Sequence, residues 1–158
     1  RPDRHLVNEG DAMLTPLLIK LRPFILWFTA ISYVVVGVMH FTHEYIFLPM
    51  MPDFLPYHLE LVWISGAFEI LGGIGLVVPQ TRRFAAFGIL ALLVAVFPAN
   101  INMAINGIAI DVNVPQSDFG RWLRLPFQFV FAAQIYYVGL WRPKSSVGTE
   151  PVSEATAA

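Results

Sequence analysis

The chain contains no cysteine. That excludes thiol–disulfide exchange, thiolate-ligated zinc, iron–sulfur clusters and covalently attached haem, so a redox role has to rest on a borrowed cofactor and none is intrinsic. Charge is the second scarcity. Only 13% of residues are Asp, Glu, Lys or Arg, against roughly a quarter in soluble domains. A net charge of −1 offers no basic surface for a nucleic acid. Nor is there an internal repeat of the kind on which alternating-access transporters are built. Apolar side chains take the remaining share, with 56% hydrophobic residues and a mean hydropathy of +0.62. The expected solvent is a lipid bilayer.

Four apolar runs, near 24–41, 58–78, 84–106 and 122–141, approach the ~20 residues that cross a hydrocarbon core of roughly 30 Å. The predicted fold is all-α, a four-helix transmembrane bundle over 23–142. A cytoplasmic or interfacial segment, 1–22, precedes it, and the tail 143–158 has too little apolar content to fold. Leu14, Leu17, Leu18 and Leu21 recur at helical spacing beside Lys20 and Arg22, predicting a short surface helix. Pro23 then suits the first turn of the first span. The 42–57 loop, THEYIFLPMMPDFLPY, is proline-punctuated yet apolar and is expected to dip into the interface or cap the bundle. The tight turn Pro-Gln-Thr-Arg-Arg at 79–83 makes the second and third spans antiparallel neighbours, and Trp122 and Trp141 mark the ends of the last. Arg1, Arg4, Lys20, Arg22, Arg82, Arg83, Arg142 and Lys144 fall on one side and Arg121 and Arg124 on the other. By the positive-inside bias both termini are cytoplasmic and the 42–57 and 107–121 loops lie outside.

One residue stands against its surroundings. Glu69 sits midway along LELVWISGAFEILGGIGLVVP, where a carboxylate costs about 2.5 kcal/mol or more unless it is compensated. Its helical neighbours Ser65, Gly66, Gly72 and Gly73 are small, so that face admits a second helix and directs Glu69 into protein. The acid serves either as a proton acceptor or as a structural lock bonded to Tyr33 or to an amide of the third span. The first span carries its own polar stripe, Thr29, Tyr33, Gly37, His40 and Glu44, which should face the bundle.

Further candidates lie toward the outer end. Arg124 and Gln128 share a face of the last span and, with Glu60, can form an anion or carbonyl site; alternatively the arginines anchor to phosphates. Asn100, Asn102 and Asn106 follow Pro98 and either line a polar cavity or hold helices together. Gln134 reads as an interhelix hydrogen bond, and Gly66, Gly73, Gly88 and Ala95 as packing positions on the second and third spans. Gly88, Ala91, Ala95 and Ala99 form a small-residue face on the third. His40, His43 and His58 with Glu44 and Glu60 have metal-ligand chemistry, but a proline-rich loop separates them and no metal site is expected. Phe127, Phe129 and Phe131 read as lipid-facing.

The runs GVMHF (37–41), LVWISGAFEILGGIGLVVP followed by TRR (61–79 and onward), ALLVAVFPANINMA (91–104) and RLPFQ (124–128) together resemble the DoxX-like family of small four-helix membrane proteins. The likeness extends over most of 24–141. It implies a multi-pass protein of the bacterial inner (plasma) membrane and points to association with quinone-linked oxidoreduction. On this resemblance His40, Glu69, Asn100 and Arg124 correspond to the family's histidine, second-helix acid, post-proline amide and last-helix arginine. The absence of cysteine excludes the thiol relay of its MauE-type relatives. The resulting expectation is a small membrane subunit of a quinone-linked oxidoreductase or respiratory complex. Glu69 takes a proton in it, and Tyr33, His40, Asn100, Asn102, Arg124 and Gln128 surround a ligand, with quinone as the cofactor. Two alternatives stand beside it: a non-catalytic structural or assembly subunit of a larger membrane complex or homo-oligomer, and a binding protein for a small hydrophobic molecule.

Overall fold

The computed structural model describes residues 9–108 and 117–142, with side chains from residue 16 onward. Most of the 107–121 loop and the whole 143–158 tail lie outside the described residues, as do residues 1–8 of the N-terminal segment. Helix α1 spans Glu9–Thr42. A short helix α2 (Glu44–Phe47) and a 3-10 turn (Leu48–Met50) follow. Then come α3 (His58–Val77), α4 (Arg82–Asn106) and α5 (Asp118–Ile135), the last continued by a widened turn at Tyr136–Leu140. In that turn the Trp141 N–H reaches back five residues to the Tyr136 carbonyl at 2.8 Å. Among the described residues, α1 from Pro16, α3 and α4 are long and apolar enough to cross a membrane. The protein is a small multi-span membrane protein. Helix α5 carries Asp118, Arg121 and Arg124 in its first two turns and is not among these three.

The break expected at Pro23 does not occur: α1 runs unbroken through Pro16 and Pro23. Each proline removes one ladder hydrogen bond, but the helix before Pro23 is tied down from outside. Arg22 Nη2 donates to the Val138 carbonyl at 3.0 Å, the Arg22 guanidinium lies 6.0 Å from the Trp141 ring centroid, and the Tyr137 hydroxyl donates to the Leu18 carbonyl. The anticipated boundary at 22/23 therefore falls inside one helix. Ser117 caps α5 by accepting from the Gly120 N–H, and Gly107 ends α4 at φ 65°, a conformation that favours glycine.

Small residues set the helix spacing. A Cβ on Gly66 would lie 2.8 Å from the Gly37 carbonyl oxygen and 2.5 Å from His40 Cβ, and one on Gly73 would lie 2.7 Å from the Ala30 carbonyl oxygen. Helices α1 and α3 thus meet backbone to backbone along the glycine face expected of α3. Gly72 receives Ile89 of α4, and Gly139 receives Ala86. These contacts reverse the expectation for α4. Its buried face is Ala86, Ile89, Met103 and Ala104, whereas Gly88, Ala91 and Ala95 are exposed and a Cβ on Gly88 would meet nothing within 4 Å beyond its own helix. The small partners sit on α3 and the last turn, and they accept the bulkier side of α4.

The apolar core, with Leu26, Leu76, Ile89, Ile135 and Val138 at its centre, occupies the end of the bundle marked by Arg22 and Arg82. Packing runs from α1 to α3, α3 to α4 and α4 to α5, but the ring does not close in the same way between α5 and α1. Those two helices are bridged by Gln134 Nε2, which donates to Thr29 Oγ1 at 2.5 Å, and beyond it the Tyr136–Leu140 turn packs on α1.

Candidate functional site

Above that bridge the helices enclose a cavity of about 610 Å³. Its walls are the 28–40 stretch of α1, 62–69 of α3, 93–100 of α4 and 120–134 of α5, and Phe47, Met50 and Met51 cover it. The proline-rich loop acts as a cap, as its apolar composition suggested. Its anchor is Asn102, whose Nδ2 donates to the Met50 and Met51 carbonyls at 3.2 and 3.3 Å.

The polar stripe of α1 enters this space. Thr29 and His40 are buried, Tyr33 is half-buried, and all three line the cavity, while Gly37 is consumed by the α3 contact. Glu44 leaves the stripe by starting α2. His40 is stacked on Phe47, with ring centroids 3.7 Å apart and planes inclined by 18°. Its Nδ1 is 2.9 Å from the Val36 carbonyl oxygen and 3.3 Å from Glu69 Oε2. A carbonyl oxygen can only accept, so Nδ1 carries the hydrogen and Nε2 holds a lone pair in the neutral ring. Because that N–H is directed to Val36, Glu69 Oε2 has no hydrogen bond, and it is the sole buried side-chain N or O atom among the described residues in that condition. The residue beside Glu69 is thus the α1 histidine, about two helical turns along α1 from the Tyr33 that the sequence suggested, and not an amide of α4.

Across the cavity, Asn100 Nδ2 donates to Gln128 Oε1 at 3.1 Å, and Gln128 Nε2 donates to the Leu93 carbonyl. Gln128 is buried and spends both ends of its amide on α4. Arg124 lines the cavity and directs Nη1 to the Met103 sulfur at 3.2 Å. A thioether is a weak acceptor for a guanidinium, and among the described residues the ion pairs are His40–Glu69 and Arg121–Asp118. Glu60, grouped with Arg124 on sequence, is exposed on α3 and does not border the cavity.

The remaining candidates separate cleanly. Asn102 lies outside the main cavity, with its Nδ2 on the cap and its Oδ1 accepting from Asn106 at 2.6 Å. His43 pairs with Thr42 and His58 with the Pro52 carbonyl, so neither joins His40. Gln134 makes the interhelix bond expected of it. Phe127 and Phe131, read as lipid-facing, are partly exposed but also line the cavity together with Phe28, on the side where α1 and α5 are unpacked; Phe129 is 70% exposed. Sequence reasoning missed Ser32, Ser65 and Phe28 as cavity residues. Helical phase could have flagged Ser65, one turn before Glu69, but nothing in the sequence showed that the α1–α5 seam is open.

Comparison with curated proteins and with solved structures finds no match for the chain. The chain belongs to the family described as "Domain of unknown function (DUF8561)", whose model matches residues 29–138, from Thr29 at the base of the cavity to Val138 in the core beneath it.

Proposed function

We propose that the cavity takes up a lipophilic molecule with a carbonyl- or hydroxyl-bearing head, of the quinone type, from the bilayer. In this reading the protein is a small membrane subunit of a quinone-linked oxidoreductase or respiratory complex in the bacterial inner (plasma) membrane. The observation that carries it is the cavity itself. It has the size of a small-molecule site, groups His40, Glu69, Asn100 and Arg124 in an apolar frame, and is bordered by Phe28, Phe127 and Phe131 where α1 and α5 do not pack. The lining fits such a head. Arg124 has N–H donors for a carbonyl oxygen beyond the one aimed at Met103, and the unbonded Glu69 oxygen beside His40 provides a place for a proton. A bound quinone or quinol would supply the electron-transfer chemistry; the chain's residues would bind its head and orient it.

The DoxX-like resemblance of GVMHF, the Glu69 run and RLPFQ supports the same reading. In this arrangement α5 with the 136–140 turn forms a fourth span, and the Arg22, Arg82 and Arg142 end faces the cytoplasm together with both termini. The test is gentle extraction of the protein from native membranes, identification of the lipophile and proteins that co-purify, and quinone binding by the purified chain in nanodiscs. Quinone is expected to be retained or bound, and Arg124→Met to weaken it about tenfold, the loss of one charge-assisted hydrogen bond. Failure to retain or bind quinone, together with an unchanged electron-transfer rate in Glu69→Gln, sinks the proposal. A second reading, a structural or assembly subunit of a larger complex or homo-oligomer, is favoured by the exposed Gly88, Ala91 and Ala95 face of α4, which admits close approach of another helix. Recovery only within a large complex whose activity survives Glu69→Gln selects it.

A further inference from the structure

We infer that His40 Nε2 accepts the hydrogen of a ligand hydroxyl and that Glu69 acts behind it as a positioning residue. The cavity then selects the hydroxyl-bearing, quinol form of its ligand. The inference rests on the quinone-type reading above, but its argument is about one ring and one carboxylate. Nδ1 is committed: it donates to the Val36 carbonyl at 2.9 Å. Stacking on Phe47 covers one face of the ring and holds its plane. Nε2 makes no hydrogen bond to the protein, yet it is not a sealed-off buried atom, and the space that His40 borders is the cavity. A neutral imidazole held this way offers the ligand a lone pair and no donor.

Glu69 Oε2 stands behind the ring that Val36 and Phe47 hold. It lies 3.3 Å from Nδ1 without a hydrogen bond while that N–H points to Val36. An unmatched buried oxygen is costly in the resting protein. When the hydroxyl proton passes to Nε2, its O–H electron pair staying on the ligand oxygen, the ring becomes an imidazolium and this oxygen acquires a charged partner. Arg124, on the same cavity, offers the positive charge that the deprotonated ligand oxygen needs. Glu69 does not touch the ligand oxygen in this scheme; the Val36 carbonyl fixes the tautomer, and Glu69 stands behind the ring to balance its charge.

The experiment uses the full chain in nanodiscs, empty discs subtracted, with three probes: decylhydroquinone, its dimethyl ether and the corresponding decylquinone. Hydroquinone is expected to bind about tenfold more tightly than the ether, the worth of one matched hydrogen bond. His40→Phe, which keeps a ring against Phe47, should abolish that preference. Glu69→Gln should reduce the preference. Independently, in protein labelled with nitrogen-15 at histidine, His40 should show protonated Nδ1 and unprotonated Nε2, and hydroquinone alone should move the Nε2 signal. Equal binding of hydroquinone and ether, persistence of the preference in His40→Phe, or a proton on Nε2 of the ligand-free protein overturns the His40 assignment while leaving quinone binding intact. If none of the three probes binds, the quinone-type reading falls and this inference with it. The nitrogen-15 result stands on wild-type protein even where a variant does not fold.

Discussion

Replacing Gly66 by alanine adds one methyl group at the closest point between α1 and α3. The new Cβ would lie 2.5 Å from His40 Cβ, 2.8 Å from the Gly37 carbonyl oxygen and 3.1 Å from Phe41 Cε2. Two of these atoms are backbone or next to it, so relief requires the helices to separate, and overpacking of this kind costs about 1–3 kcal/mol. The intrinsic preference of a helix for alanine over glycine, about 0.8–1.0 kcal/mol, opposes that cost. Gly88→Ala provides the control. It sits in α4 with nothing within 4 Å of the added carbon, and it gains the same preference without the clash. The difference between the two variants isolates the packing term. Reversible unfolding in mixed micelles, followed by the fluorescence of the four tryptophans, should place Gly66→Ala about 1–3 kcal/mol below Gly88→Ala. Because the clash falls on His40, histidine NMR should also report a changed His40 environment in Gly66→Ala and none in Gly88→Ala. Equal stabilities for the two variants would refute the backbone contact between α1 and α3.

Three further outcomes follow from individual hydrogen bonds. Asn102→Leu frees the Met50 and Met51 carbonyls that hold the cap; hydrogen exchange in 48–52 should accelerate at least severalfold while the α3 core stays protected, and uniform protection would show that Asn102 is not the anchor. Gln134→Leu removes the one side-chain bridge seen between α5 and α1 among the described residues. It should lower stability by about 0.6–1.7 kcal/mol, the range of membrane interhelix hydrogen bonds, and increase spin-label distances between 28 and 131; unchanged distances would mean that the seam is held elsewhere. Arg22→Met deletes the bond to Val138 and the contact with the Trp141 ring. It should cost about 1–2 kcal/mol and release the helix before Pro23, read as faster proteolysis near residue 20, with wild-type cleavage rates as the contrary result.

Composition and periodicity were enough for the solvent, the α-helical class, most of each span and the anomaly of Glu69, because an apolar run without charges has one stable state in a bilayer. Glycine spacing around Glu69 located the face that meets another helix, since only residues without bulk allow backbone contact. The same rule misled on α4. Small residues permit close approach but do not require it, and Gly72 and Gly139 on the neighbours took the bulky side of that helix instead. Pro23 misled for a related reason: a proline weakens a helix locally, while Arg22 and Tyr137, contacts more than a hundred residues apart in sequence, hold it together. The candidate site divided along the same line. The residue types of Tyr33, His40, Glu69, Asn100, Arg124 and Gln128 were legible, because polar side chains inside apolar runs are conspicuous. Which of them meet was decided by packing. Only the tertiary structure sets His40 against Glu69, spends Gln128 on α4, moves Asn102 to the cap and leaves α1 and α5 apart. Those relations depend on distances between helices, and no single helix encodes the distance to its neighbour.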